Sequence, residues 1–125
     1  MKKLLFILLT VSIGYSQGFH AYLFEYGKVD TITQYMTADT TIQMDDVFVE
    51  MTESDLTIWT EKLQQYYFIN TKEMFVTDTV FICTCMIKDQ DLDTGMLTYC
   101  YNRNTSRRTI IIRYRNMYLK CWIKS

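Results

Sequence analysis

The sequence predicts an all-β protein: an antiparallel meander rolled into a small barrel or sandwich, preceded by a cleaved signal peptide. Three observations carry that reading. Residues 79 to 123 form runs of about eight residues rich in β-branched and aromatic side chains, each closed by Asp, Asn, Gly or Ser, as successive strands and turns are. Proline is absent, and no fixed-period repeat or low-complexity linker divides the chain. The first sixteen residues have the basic-then-apolar layout of an export signal.

Lys2 and Lys3 are followed by a stretch, Leu4 to Ile13, that is apolar but for Thr10 and Ser12. Gly14-Tyr15-Ser16 then places small residues at the positions a signal peptidase reads. Ten helical residues rise about 15 Å against a hydrocarbon core of roughly 30 Å, so the segment is too short for a membrane anchor. The expected mature chain runs from residue 17 to 125, secreted or periplasmic, with no membrane span and no cysteine after the cut to carry a lipid. Removing sixteen residues from 125 leaves 109, one domain by length. At that size folding buries only about two thirds of the chain's surface, so crosslinks would matter. Loss of Lys2 and Lys3 leaves 11 bases against 14 acids, unevenly spread. Asp30, Asp39, Asp45, Asp46, Glu50, Glu53 and Asp55 follow Lys28 with no base among them, whereas seven bases follow Asp93 with no acid.

Taken in order, Phe19 to Tyr26 reads as a first strand, with Phe19, Ala21 and Leu23 on one face and His20, Tyr22, Phe24 and Tyr26 on the other. Thr31 to Met36 is weakly patterned and fits either strand or loop. TTIQM, a turn at Asp45-Asp46, and VFVEM read as a hairpin with Val47, Val49 and Met51 on one side. In 54–69, Leu56, Trp59, Leu63 and Tyr66 recur at helical spacing. The density of β-branched and aromatic residues favours instead two strands joined at Glu61 to Gln64. A turn at Asn70 to Glu73 and the approach Met74 to Val76 lead into the meander.

This succession resembles small secreted β-proteins of flavobacteria and their relatives. The resemblance covers roughly residues 40 to 120 and is carried by DLTIWTEKLQQYYFI, TVFICTCMIKDQD and TIIIRYRNMYLKCWI. Two departures stand out: Trp59 takes the place of a tyrosine, and no aspartate lies two residues after Cys85. It implies strands for 54–69 and a bacterial origin. It implies no activity and transfers no functional residue.

Four cysteines, Cys83, Cys85, Cys100 and Cys121, all lie in the meander. An even count in a small exported chain favours disulfides. Cys83 and Cys85 share a sheet face, and a hairpin through Asp89 to Gly95 closing on two or four residues would bring Cys100 to that face. Cys100 is therefore expected to bond Cys83 or Cys85, leaving the other for Cys121. A redox or metal role for the C-T-C pair is the weaker reading, since the redox signature is C-x-x-C and only one histidine is present.

Asp89, Asp91, Asp93 and Gly95 approach the pattern of a calcium loop, but Gly95 is seventh rather than sixth and the twelfth position is Cys100. A solvated acidic turn with glycine at positive φ is expected instead. Arg107, Arg108, Arg113, Arg115 and Lys120 interleave with Tyr114, Tyr118 and Trp122, a mix that can bind an anionic ligand through charge and stacking. Alternation puts Arg113 and Arg115 beside Ile111 and opposite Ile110, Ile112 and Tyr114, so a solvated basic face over a buried one is expected, and no nucleic acid. His20 is alone and no serine lies in a nucleophile motif, so no catalytic residue and no cofactor are assigned. The function this leaves is a non-enzymatic module binding a small ligand or protein partner. The alternatives are a structural or interaction protein without a pocket and, third, a cysteine-dependent redox protein.

Overall fold

The computed structural model describes residues 17–70 and 72–124; the expected signal peptide lies outside them. Nine strands follow in order: β1 (Gln17–Val29), β2 (Met36–Met51), β3 (Asp55–Trp59), β4 (Gln64–Phe68), β5 (Glu73–Val76), β6 (Val80–Asp89), β7 (Thr94–Asn102), β8 (Arg107–Arg113) and β9 (Met117–Ile123). Consecutive strands pair antiparallel, except that β4 and β5 lie one after the other along the same edge of β6. Pairing of β1 with β9 completes a closed eight-stranded antiparallel barrel, with β5 extending the edge beside β4. No helix among the described residues is long and apolar enough to cross a membrane.

The period-2 pattern builds the interior. Phe81, Cys83, Cys85 and Ile87 of β6 are buried and alternate with half-covered residues. Leu97 and Tyr99, Ile110 and Ile112, and Leu119, Cys121 and Ile123 repeat this around the ring. Each Leu, Ile or Phe side chain among them, fully removed from water, contributes about 1.5–3 kcal/mol, which makes the filled interior the main source of stability. Phe19 and Tyr99 meet inside with ring centroids 6.0 Å apart.

Residues 54–69 form two strands, as expected, with Leu56 paired to Tyr66 and both buried. Three local expectations are corrected. First, the register slips between Ala21 and Leu23, so Phe24 turns inward, 1% exposed, and Leu23 turns out. A bulge inserts a residue and so exchanges the two faces beyond it. Second, Asp45-Asp46 is no turn: β2 runs unbroken, and the extra residues between Gln43 and Val47 are absorbed as a bulge opposite the one in β1. Asp46 Oδ1 there lies 3.0 Å from His20 Nδ1 and 3.9 Å from Lys124 Nζ. The real reversal is at Thr31 to Thr33, where Asp30 Oδ1 accepts bonds from the backbone N–H of Ile32 (2.8 Å) and Thr33 (2.9 Å). These bonds hold the Asp30 carboxyl below its ordinary range.

The third correction concerns sulfur. Lys88 pairs with Thr94, so the β6–β7 loop holds residues 89–93, an odd number. Odd positions then pair with odd ones: Cys83 faces Tyr99, Cys85 faces Leu97, and Cys100 sits opposite Ile82 on the outer face. Cys121 is inside but belongs to the β1–β9–β8 wall, between Phe24 and Ile110. All four cysteines are free thiols, and the expected disulfides do not form.

Gly27 is demanded by close approach. A Cβ there would lie 2.2 Å from the Thr37 carbonyl oxygen and 2.5 Å from Cε1 of Tyr118, whose ring covers it. Gly27→Ala should therefore lower stability by about 1–3 kcal/mol, read as a lower urea midpoint at unchanged slope. Cys100→Ser, in contrast, should move the melting temperature by no more than about 4 °C, since no bond is lost from a half-exposed outer position. Thiol titration of the unfolded wild type without reductant should count all four cysteines.

Candidate functional site

One end of the barrel is open. A cavity of about 480 Å³ lies there, between the β3–β4 turn, the β6–β7 turn and the start of β9. Its walls come from Tyr26, Leu63, Tyr66, Met117 and Leu119, and its charged rim from Lys62, Asp89, Asp91 and Asp93. The size follows from the fold. Eight strands leave an interior just wide enough to be filled by side chains or to hold one small ligand. Here the inward positions of the central layers are filled by Phe24, Ile58, Ile87 and Ile112, whereas the last inward position on β1 is the half-buried Tyr26, with Tyr114 just past the end of β8.

The acidic turn is built from within. Asp89 Oδ1 accepts bonds from the backbone N–H of Asp91 and of Asp93, each at 2.9 Å, and its Oδ2 accepts one from the Tyr114 hydroxyl at 2.7 Å. Leu92, with φ of 68°, takes the left-handed position the sequence reading gave to Gly95. Gly95 instead lies within β7, where a Cβ would come 2.9 Å from the Arg113 carbonyl oxygen. The carboxylates of Asp89, Asp91 and Asp93 gather within 4.8 Å of one another. Because both oxygens of Asp89 already accept bonds that shape the turn, the cluster is accounted for as hairpin architecture.

Around it the phenols are held neutral. Tyr66, buried with its hydroxyl donating to Gln64 Oε1 at 2.8 Å, has its pKa raised by burial. Tyr114 is raised by burial and then by its bond to Asp89. Tyr118 donates to Glu25 on the outer side.

The basic residues singled out from the sequence do not converge. Arg108 turns to the inner face near the far end, its guanidinium 5.3 Å from the Tyr101 ring. Arg113 points outward, as alternation predicts, and donates to Gln34 at its carbonyl, 3.2 Å away, and at its side-chain oxygen. Lys120 lies 4.5 Å from the Trp122 ring on the outer wall. Arg107 and Arg115 are exposed at opposite ends of β8. The cysteines do not meet at a site either. Cys85 Sγ lies 3.3 Å from the carbonyl and side-chain oxygens of Asn70, and burial raises the thiol pKa of Cys83. Sequence reasoning thus found the acidic turn but missed Tyr26, Leu63, Tyr66, Met117 and Leu119. Tyr26, Tyr66, Met117 and Leu119 share a signal, an apolar or aromatic residue on the inward alternation of a strand, whereas Leu63 lies in the β3–β4 turn and carries none.

Burial raises Tyr99 from 10.0 to about 12 and Cys121 from 9.0 to about 12. In the unfolded chain these groups lose their protons first, so the unfolded state binds fewer protons and stability falls with rising pH. Urea midpoints should be flat with respect to these groups below pH 9 and decline from about pH 9 to 12, while phenolate absorbance of the folded protein lags that of the unfolded chain. A midpoint unchanged across that range would contradict the assignment.

No protein-family profile, curated protein sequence or solved structure matches this chain.

Proposed function

We propose that this protein is a non-enzymatic binding module that takes a small organic ligand into the open end of its barrel. The observation that carries the reading is the cavity itself. At about 480 Å³ it falls within the range of small-molecule sites, and it combines apolar walls with a few convergent polar groups. A purely structural barrel would need no such recess. The N-terminal segment supports export of the module to the periplasm or beyond. Free cysteines are unusual in an oxidising compartment, and here Cys83, Cys85 and Cys121 are all buried away from oxidants.

The test is a thermal-shift screen of a fragment library against the wild type and against Leu63→Trp, which fills the mouth from a partly exposed turn position. A ligand present at about a hundred times its dissociation constant stabilises the native state by about 2.7 kcal/mol, a shift of many degrees for a domain of this size. Hits are expected for the wild type and should be lost in Leu63→Trp with its unliganded melting temperature retained. Hits that survive the filling would place binding elsewhere.

A further inference from the structure

We propose that the occupant of the barrel mouth is an organic cation, a protonated amine carried on an apolar or aromatic body. The inference rests on the cavity being a ligand site, and its test is arranged so that the two can fail separately.

Charge is the first argument. Three carboxylates, Asp89, Asp91 and Asp93, line the cavity against the single ammonium of Lys62. Asp91 and Asp93 are exposed at the rim and form no ion pair among the described residues. On its own such a turn would be only a solvated acidic hairpin. It becomes a determinant of the occupant because it forms one wall of a recess large enough for a ligand, where low-dielectric surroundings strengthen a charge pair relative to open water.

Aromatic faces are the second. Tyr26, Tyr66 and Tyr114 line the same recess. An aromatic ring carries negative charge on its face, so a cation within about 6 Å is attracted and an anion repelled. The phenols of Tyr66 and Tyr114 stay protonated well past neutrality, so they offer uncharged rings and hydroxyls. Asp89 is fixed in place by its three hydrogen bonds, so the acidic wall is set before a ligand arrives and little ordering cost attends binding.

Amphipathicity is the third. Leu63, Met117 and Leu119 offer hydrocarbon to the cavity and no charge. A ligand matching both kinds of wall is an amine with an apolar body rather than a metal ion or a hydrophilic polyol.

Calorimetric titration of the purified protein at low salt with three probes sharing one ring system tests the sign of the charge directly: tryptamine, indole-3-ethanol and indole-3-acetate. Tryptamine should bind at least about tenfold tighter than indole-3-ethanol, and indole-3-acetate weakest, with the tryptamine advantage shrinking as salt rises. In Asp91→Asn/Asp93→Asn, both substitutions lying at exposed positions, tryptamine should weaken toward the alcohol while indole-3-ethanol binds as before. Equal affinity for all three probes, or preference for the acetate, would overturn the cationic assignment and leave the cavity reading standing if Leu63→Trp still abolishes binding. If none of the three binds, the assignment also falls, and the fragment screen then decides whether the cavity takes any ligand.

Discussion

The antiparallel pairing of β1 with β9, Ala21 to Lys28 against Met117 to Ile123, is the constraint on which the rest depends. Every other pairing joins neighbours in the chain, except that of β4 with β6, which skips only the short β5 and closes the ring on its other side. The β1–β9 pairing joins strands from the two ends of the domain, so its loop-closure entropy is the largest single topological cost of the fold. In return it removes the two edges an open sheet would leave and turns one face of every strand into a shared interior. Phe24, Cys121 and Ile110 lie across β1, β9 and β8 as consecutive inward neighbours, each 1% exposed or less.

Closure also explains the facing bulges of β1 and β2 at the Ala21/Leu23 register shift. Phe19 and Ala21 face inward in the first half of β1, and Phe24 and Tyr26 in the second, which a regular strand cannot satisfy. The slip at Tyr22 reconciles them, and the longer bulge in β2 at residues 44 to 46 follows the bend. The site there brings His20, Asp46 and Lys124 together, where the acidic first half of the domain meets the basic C-terminus.

The cavity follows from the same geometry. At its far end the barrel is plugged by Phe19, Phe81, Tyr99 and Ile123. At the near end the strands run out into turns of unequal length, and the inward positions pass from hydrocarbon to tyrosine and carboxylate. The Asx bonds to Asp89 Oδ1 shape the β6–β7 turn, and the Tyr114 hydroxyl, donating to Oδ2, ties that turn to the end of β8, so hydrogen bonds help to hold the rim. A recess with one acidic and one apolar wall is what remains.

Much of the architecture was written locally. Alternation and β-branched density placed the strands of the meander, the two strands within 54–69 and the buried face of Val47, Val49 and Met51, because period-2 burial is a property of each strand by itself. The acidic turn at Asp89 to Asp93 was visible for the same reason, as a cluster of turn-forming residues. What the sequence could not decide was register. A loop of five rather than four residues, or a single bulged residue, moves every side chain beyond it to the opposite face. Tertiary packing alone therefore put Cys100 outside while Cys83 and Cys85 stayed inside, turned Phe24 inward in place of Leu23, and converted Asp45-Asp46 from a turn into a bulge. It alone also assembled Tyr26, Leu63, Tyr66, Met117 and Leu119, drawn from three separate parts of the chain, around one cavity, since only the closed ring makes them neighbours.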